Sequence, residues 1–389
     1  MTDDRRRSVG LKVLYGDTFT MAVGFYMLVP LLAYHFLEDL LLTIGVVAAL
    51  TAVRTAAQNG LMPIMGWVAD RIDFRRAILA GVLIRASGFA LLGTAEHVPV
   101  LIVASILTGL GGALFHPASY AAYAALAVSS DRVRVYSTRE VISNVGFIVG
   151  PLVGGLLAGV DFAMVSLGAA AMFVIAFFIS LLGLPSPELA VRERRPSLRL
   201  AFSDRPFLRY CLLVVGVAVL ITQFYLVIPY RAGTLLPGPE GLGLVYTGAA
   251  IVMVITMLPL TGLANRLLPR RGIVAIAVVC LGVGVATIGL AGALPVMLLG
   301  VGVFVVGQML SQPVLNAIVS DFAPDGSVAS YFGVQGLATA VGSILGSTLS
   351  GVIYPLADTA WAAIAWAVFP VWAAIVATLL WTWGPREQS

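Results

Sequence analysis

The sequence has little charge and few residues that perform chemistry. Only 11% of its 389 residues are charged, and it contains 2 cysteines, 3 histidines and a single lysine, Lys12. The pattern Gly-x-x-x-x-Gly-Lys-Ser/Thr does not occur, so the chain itself lacks the phosphate cradle that an ATP-driven pump needs. No nucleophile, metal-ligand cluster or cofactor loop stands out either. We therefore predict no enzyme activity, no bound metal and no cofactor.

Apolar residues dominate what remains. The chain is 60% hydrophobic with a mean hydropathy of +1.00, far outside the globular range. Runs of about 20 or more apolar residues recur, each long enough to cross a bilayer as a helix. The twelve runs are roughly 10–36, 41–66, 77–94, 98–127, 136–159, 162–184, 207–234, 241–266, 272–292, 295–321, 329–356 and 359–383. Cys211 and Cys280 lie inside two of them, so they predict packing roles rather than an exported disulfide framework. We predict an all-α integral membrane protein with twelve transmembrane helices.

Four segments recur about half a chain later, in the same order and at nearly constant spacing. The matched segments are 66–76 with 261–271, 25–30 with 224–229, 116–117 with 312–313, and 146–155 with 342–351. A duplicated apolar unit is typical of a transporter built from two similar halves around a central site. We predict two pseudo-symmetric six-helix bundles, 1–184 and 207–389, joined by a polar cytoplasmic linker at 185–206 that is rich in proline and arginine.

The positive charges are distributed unevenly along the chain. Of the 23 Lys and Arg residues, all but Arg54, Arg85 and Arg231 fall in or beside the segments predicted to face the cytoplasm. The outer loops carry acids and no bases, so the positive-inside rule places both termini in the cytoplasm. We expect a multi-pass protein of the cytoplasmic (inner) membrane, with no cleaved signal peptide and no nucleic-acid partner.

Two motifs resemble those of a known family, the major facilitator superfamily. Residues 66–76 resemble its loop motif between the second and third helices, although Asp73 stands where glycine is usual and Phe74 where a basic residue is usual. Residues 146–155 match the fifth-helix motif of the family's drug–proton antiporters. The motif residues are Gly66, Asp70, Arg71, Arg75 and Arg76, and Gly146, Gly150, Pro151, Gly154 and Gly155.

The resemblance covers nearly the whole chain and is greatest to bacterial twelve-span multidrug exporters. It implies the major facilitator fold, proton antiport and a small lipophilic substrate. A third family motif expects an arginine in the fourth helix, but residues 104–109 contain none. If that arginine assists proton coupling in relatives, this chain must couple protons otherwise.

The loop motif predicts a cytoplasmic latch that closes in one state and opens in the other. Asp70 could pair with Arg75 or Arg76, or accept backbone N–H groups at a helix end. The second copy carries Asn265 in place of the acid, which indicates one strong latch and one vestigial copy. The alternative is a loop whose charges only set the topology.

Small residues at every fourth position of the fifth helix give a flat stripe that another helix can approach closely. Pro151 removes a backbone hydrogen bond and can bend this helix. The stripe predicts a surface at which the halves rock, or alternatively ordinary glycine-mediated packing.

Charges within the predicted spans are few. Asp17, Glu140 and His116 are the candidates for carrying protons. For Asp17 and Arg85 we favour a structural ion pair within the first half, and the alternative makes Asp17 a proton site. Glu140 has only Arg139, which we expect to point the wrong way, or Arg54 in another helix as a partner.

The substrate cavity is predicted to be lined by aromatic, amide and charged side chains from both halves. The candidates are Tyr26, Arg54, Gln58, Phe115, Asn144, Phe224, Tyr225, Gln308, Gln312 and Asn316. Aromatic faces suit flat lipophilic molecules, cations among them. Arg54 could serve as counter-charge to an acid or as an anion contact.

These observations predict a secondary transporter, a monomer in the bilayer, that exports hydrophobic or amphipathic drugs by alternating access in exchange for protons. One alternative is a carrier of sugar-like or amino-acid-like metabolites. Another is a membrane receptor that binds a ligand without transporting it.

Overall fold

The structure is a computed structural model that describes residues 3–158, 161–185, 198–235, 238–356 and 359–383. These residues form α-helices and short connections, with no β-strand among them. The helices are α1 Asp3–Tyr34, α2 Ile44–Ile72, α3 Phe74–Thr94, α4 Val98–Leu126, α5 Arg132–Ala158, α6 Phe162–Gly183, α7 Leu198–Ser203, α8 Arg205–Thr222, α9 Phe224–Leu235, α10 Gly238–Leu267, α11 Arg270–Gly289, α12 Leu294–Phe322, α13 Val328–Ile353 and α14 Ala362–Trp383. The all-α prediction is therefore confirmed.

Eleven helices of the described ranges are long and apolar enough to cross a membrane. Helix α2 is not among them by composition, because Arg54, Gln58 and Asn59 interrupt its apolar run. The seventh predicted span is one apolar segment, Arg205–Arg231, that is interrupted at Gln223, where α8 ends and α9 begins. Of the predicted linker, 186–197 lie outside the described residues, and α7 occupies part of the rest.

Carboxylates begin several of the helices. Asp161 accepts a hydrogen bond from the Ala163 amide at the start of α6, and Asp204 accepts one from the Phe207 amide at the start of α8. Each side chain satisfies an N–H group that has no partner inside its own helix. Short acidic connections in the sequence therefore mark where these helices begin.

Three pairs of internal prolines follow the sequence repeat, whereas Pro151 of α5 and Pro370 of α14 have no counterpart. The pairs Pro30 with Pro229, Pro63 with Pro259, and Pro117 with Pro313 each lie inside corresponding helices of the two halves. A proline within a membrane helix removes one backbone hydrogen bond, and neighbouring helices must compensate for it. The duplication thus extends from the residue pattern to the local helix geometry.

The chain forms two compact units. One consists of 1–132, 138–201 and 319–337, and the other of 133–137, 202–318 and 338–389. The end of α12 and the first turns of α13 therefore group with the helices of the first half. The predicted domains 1–184 and 207–389 follow the repeat instead, and they stay a prediction.

The glycine motif of α5 packs against α1 within the first unit. A β-carbon built on Gly146 would lie 2.4 Å from the Ala22 β-carbon, and one on Gly154 would lie 2.2 Å from the Met27 carbonyl oxygen. Gly150 is similarly close to Tyr26. In the other unit Gly342 and Gly346 approach α8 in the same way. The stripe therefore joins helices of one unit, which favours the packing interpretation.

We predict that Gly154→Ala destabilises the protein, because the new methyl group would overlap backbone atoms of α1 that cannot move aside. Overpacking of this kind costs about 1–3 kcal/mol, so the melting temperature in detergent should fall by several degrees. Thermal unfolding followed by size-exclusion chromatography would measure it. The adjacent Gly155→Ala is the control, since no atom lies within 4 Å of its added β-carbon. Equal effects of the two changes would contradict the packing described here.

Candidate functional site

Asp70, near the end of α2, contacts the first turn of α13. Its Oδ1 accepts a hydrogen bond from the Ala329 amide at 2.9 Å, and its Oδ2 accepts bonds from the Ser330 amide at 2.7 Å and the Ser330 hydroxyl at 2.5 Å. All three residues belong to the same compact unit. The carboxylate thus lies at the positive end of the α13 dipole and satisfies donors that the helix leaves free.

Glycines allow the two helices to approach closely at this contact. A β-carbon on Gly66 would lie 2.3 Å from the Ala329 carbonyl oxygen, and one on Gly333 would lie 2.5 Å from the Met62 carbonyl oxygen. Both neighbours are backbone atoms, so neither position has room for a larger residue. The sequence motif therefore places a small residue and an acid one helical turn apart because both face α13.

The arginines of the loop motif have other partners. Arg71 lies over the Trp67 ring at 5.4 Å, the Arg75 Nη2 atom donates to the Leu181 carbonyl oxygen at 2.7 Å, and Arg76 pairs with Asp73. Of the two predicted roles for Asp70, the structure therefore shows acceptance of N–H groups at a helix end. No described arginine forms an ion pair with Asp70.

The repeat copy of this motif is exposed and loosely packed. Asn265, which occupies the position of Asp70, is exposed, and an added β-carbon on Gly262 would meet nothing within 4 Å. The predicted difference between a strong first copy and a weak second copy thus has a structural counterpart.

Asp73 adopts a backbone conformation that side chains rarely tolerate. Its φ is 81° and its ψ 153°, a combination reached almost only by glycine. The residue also begins α3, because its side chain accepts a 2.9 Å hydrogen bond from the Arg76 amide. Asp73 in place of the usual glycine therefore strains the backbone, but its side chain caps α3.

Asp17 is completely buried in α1, at 0% exposure, and neither carboxylate oxygen has a hydrogen-bond partner among the described residues. The Ser180 hydroxyl on α6 is a polar neighbour of this carboxylate, at the limit of hydrogen-bond geometry. The predicted ion pair between Asp17 and Arg85 is wrong, because no such contact forms. An ionised carboxylate without partners in hydrocarbon costs at least about 2.5 kcal/mol, so this environment suits the proton-bound form.

Arg85 is 4% exposed and lies among aromatic rings instead. Its guanidinium carbon is 5.0 Å from the Phe25 ring centroid, 5.7 Å from that of Phe89 and 5.6 Å from that of Phe173. Its Nη1 atom is 3.4 Å from the His116 Nε2 atom. A buried arginine therefore occupies the neighbourhood of His116, which disfavours a second positive charge on the imidazole.

Glu140 forms a salt bridge with Arg139, contrary to the expectation that Arg139 points the wrong way. Arg139 also lies 4.5 Å above the Tyr120 ring, and Tyr120 stacks on Phe332 of α13 at 4.8 Å. Asn144, one turn after Glu140, donates to the Glu140 carbonyl oxygen at 2.9 Å. Side chains of adjacent helix residues point in different directions, so only long side chains such as those of Arg139 and Glu140 can form a salt bridge between neighbours.

The remaining cavity candidates of the first half occupy different environments. Tyr26 packs edge-on against Phe147, with ring centroids 4.8 Å apart, while Phe115 is buried. Arg54 is half-buried over the Phe25 ring at 5.8 Å. Gln58, one turn later, lies beside Gly112, where an added β-carbon would be 2.7 Å from its Oε1 atom. Arg54 and Gln58 thus share one face of α2, as their spacing predicts.

The candidates of the second half lie in the other compact unit. Phe224 is buried and stacks on Phe304 at 5.3 Å, whereas Tyr225 is 55% exposed. Gln308 and Gln312 of α12 are half-buried, and Asn316 is buried. The Oε1 atom of Gln308 has no hydrogen-bond partner among the described residues. Gln308, Gln312 and Asn316 all lie on α12, and their place in the substrate cavity stays a prediction.

Comparison with known proteins settles the family. A sequence model of the Major Facilitator Superfamily matches residues 18–235 and 224–389. The chain belongs to the major facilitator superfamily. It is 28% identical over 356 residues to a protein of Aeromonas hydrophila named multidrug resistance protein MdtH, covering 91% of this chain and 90% of that protein.

Solved structures of the superfamily share this fold. The transporter FucP, in an outward conformation, matches with a TM-score of 0.79 at 14% identity, covering 98% of this chain and all of that one. The human organic anion transporter MFSD10 matches with a TM-score of 0.76 at 17% identity and the same coverage. The multi-pass membrane architecture of a superfamily transporter is therefore established.

Several polar contacts of this superfamily member have no counterpart among the predicted sites. Gln223, at the break between α8 and α9, donates to the Gly346 carbonyl oxygen and accepts hydrogen bonds from Ser350 and Tyr354. Arg132 pairs with Asp321 near the end of α12. The partners are far apart in sequence, so only the glutamine's place in an apolar run signals such a network. Among the described residues, no cluster of His, Cys, Asp and Glu could hold a metal.

We predict that Asp70→Asn loosens the first turn of α13, because an amide has one acceptor oxygen instead of two and lacks the negative charge that the helix end favours. A loss of about 1.4 kcal/mol would raise the exchange rate of the Ala329 and Ser330 amides about tenfold, measurable by hydrogen–deuterium exchange. Asn265→Ala changes the repeat copy and should leave these amides unchanged. Unaltered exchange in Asp70→Asn would contradict the contact.

We predict that Asp73→Ala is less stable than Asp73→Gly. Both lose the α3 cap, at a cost of about 1 kcal/mol, but glycine releases a backbone strain of about 1–3 kcal/mol that alanine retains. Melting temperatures of the purified variants would order them. A more stable alanine variant would show that the left-handed φ is not maintained.

Proposed function

We propose that this protein exports amphipathic drugs from the cytoplasm by alternating access, in exchange for protons. Membership in the superfamily supports transport, and the name of the Aeromonas relative supports drugs as the substrate class. We further propose a monomer in the cytoplasmic membrane with both termini inside, as the distribution of positive charge indicates.

The observation that carries proton coupling is the environment of Asp17. Its carboxyl group is completely buried and has no positively charged partner among the described residues, an environment that favours the proton-bound form. When water reaches α1 in another conformation, the ionised form gains hydration and the proton can leave. A group that holds a proton in one state and releases it in another can link proton flow to the conformational change.

Glu140 and His116 are the weaker candidates. Glu140 already has a positively charged partner in Arg139. His116 faces the permanent charge of Arg85. We therefore assign proton transfer to Asp17 first and keep Glu140 and His116 as second candidates.

The contact of Asp70 with α13 supplies the proposed conformational latch. It joins helices of the two sequence halves through three hydrogen bonds and two glycine positions without spare room. Separating the helices would expose unpaired donors, so water must replace the carboxylate in the open state. Arg71, Arg75 and Arg76 hold the adjacent turn in place through the contacts described above.

A metabolite carrier is the second candidate function. The half-buried Arg54 and Gln58 on one face of α2 would suit a defined polar substrate. In that case replacing Arg54 would abolish binding of one compound rather than shift a broad profile.

The experiment uses proteoliposomes loaded with a pH-sensitive dye under an imposed proton gradient. A panel of cationic, neutral and acidic amphipathic drugs is added to wild type, Asp17→Asn and Glu140→Gln. We expect drug-triggered proton movement in wild type, a reduced or unchanged rate in Glu140→Gln, and no movement above empty liposomes in Asp17→Asn, since an amide cannot exchange a proton at neutral pH.

Each alternative has its own result. Proton movement that survives in Asp17→Asn and disappears in Glu140→Gln would transfer the role to Glu140. A response to no drug but to a sugar or an amino acid would favour the metabolite carrier. Ligand binding without flux of any compound would indicate a receptor.

A further inference from the structure

The first unit contains a positive charge that the transport cycle described above does not use. The Arg85 guanidinium is buried among the rings of Phe25, Phe89 and Phe173, and its Nε atom has no hydrogen-bond partner. Its Nη1 atom is 3.4 Å from the His116 Nε2 atom, and Arg54 and Tyr26 also lie near it. No carboxylate among the described residues pairs with this positive charge.

A second guanidinium shares one of these rings. Arg54 of α2 lies 5.8 Å from the Phe25 centroid, while Arg85 of α3 lies 5.0 Å from it. Arg54 is half-buried, so one of the pair can be reached from outside the packed helices. Both guanidinium groups therefore lie beside the same aromatic ring, so two positive charges are close together in a membrane-spanning region that contains few charged side chains.

Within the described part of the chain, neither arginine forms a salt bridge. Asp17, the buried carboxylate of α1, lies eight residues before Phe25, roughly 12 Å along the helix axis. It forms no salt bridge with either arginine. The first unit therefore contains two neighbouring arginines, Arg54 and Arg85, and a buried carboxylate, Asp17, that does not pair with them.

We propose that Arg54 and Arg85 form a binding site for an anionic group, a carboxylate or sulfonate, on an aromatic amphipathic substrate. This inference deepens the proposed function, on which it rests, by naming the substrate class as organic acids. A planar oxyanion suits the fork of guanidinium donors. Phe25 and the rings beside it would contact the apolar body of the molecule.

Arg85 contacts three aromatic faces and one imidazole nitrogen, and none of these groups is an anion. Aromatic faces attract a guanidinium but bring no negative charge, so the donor groups stay available. An entering oxyanion would add the missing counter-charge in a region of low dielectric, where the attraction is strong. Gln58, one turn after Arg54 on the same face, is placed to donate an additional hydrogen bond.

The test measures binding without any proton gradient. Wild-type protein in nanodiscs of zwitterionic lipid is dialysed to equilibrium against naphthalene-2-sulfonate, the uncharged naphthalene-2-sulfonamide and the cationic 2-naphthylmethylammonium, with empty nanodiscs as background. We expect the sulfonate to bind at least about tenfold more tightly than the other two probes.

Variants locate the site. Arg54→Gln and Arg85→Gln should each weaken sulfonate binding about tenfold or more and change sulfonamide binding little. Arg266→Gln removes the same charge from an exposed position and serves as the matched control. If Arg85→Gln fails to fold, as judged by its melting temperature, Arg54→Gln and Arg85→Lys decide the question, since the lysine keeps the charge and should retain part of the binding.

Equal affinity of wild type for the three probes, or unchanged sulfonate binding in Arg54→Gln, would overturn the proposal. Displacement of the sulfonate by phosphatidylglycerol added to the nanodiscs would assign the site to a lipid headgroup and equally overturn it. Because no transport is measured, a failed proton-coupling experiment leaves this result intact, and an absent sulfonate site leaves proton coupling by Asp17 intact.

Discussion

Inside a bilayer no water satisfies a polar group, and this constraint governs the whole structure. Backbone groups are paired within helices, and most polar side chains of the spans bond to a nearby carbonyl or to another helix. Gln223, at the break between α8 and α9, shows how a polar side chain inside a span is satisfied. Its amide nitrogen donates to the Gly346 carbonyl oxygen of α13, and its amide oxygen accepts hydrogen bonds from Ser350 and Tyr354. Against this background the bare carboxyl of Asp17 and the acid-free surroundings of Arg85 are informative, because a structural role would have provided them with partners.

The repeated halves share their scaffold but not their chemistry. Prolines recur within corresponding helices, and the glycines of α5 and α13 pack on α1 and α8 in the same way. By contrast, the counterpart of Asp70 in the second half is the exposed Asn265 side chain. The described residues of the second half include no buried arginine that corresponds to Arg85. Duplication preserves the features that packing requires, whereas charges that bind or switch need to be present only once.

The sequence was sufficient for the features set by periodic or compositional rules. Hydrophobic length predicts the spans, and the matched segments predict the two similar halves. The sequence alone does not identify the partner of a given side chain. For Asp70 it allowed either arginines or backbone N–H groups, and for Asp17 it allowed an ion pair with Arg85 that does not form. That choice depends on which helices meet and in what register, which is a property of tertiary packing. The salt bridge of Arg139 with Glu140 was missed because side-chain reach, rather than helix angle, decides it.

The partners of Asp70 also have a consequence for how the contact can vary and how it responds to its surroundings. Two of its three donors are backbone amides, which every residue except proline supplies. The side chain at position 329 makes no hydrogen bond in this contact and is constrained only by its burial, whereas the carboxylate at position 70 is itself the acceptor. The contact is partly buried, so salt should screen it less than it screens an ion pair between exposed side chains. A closure built on main-chain donors should therefore weaken only modestly as the salt concentration of the cytoplasm rises.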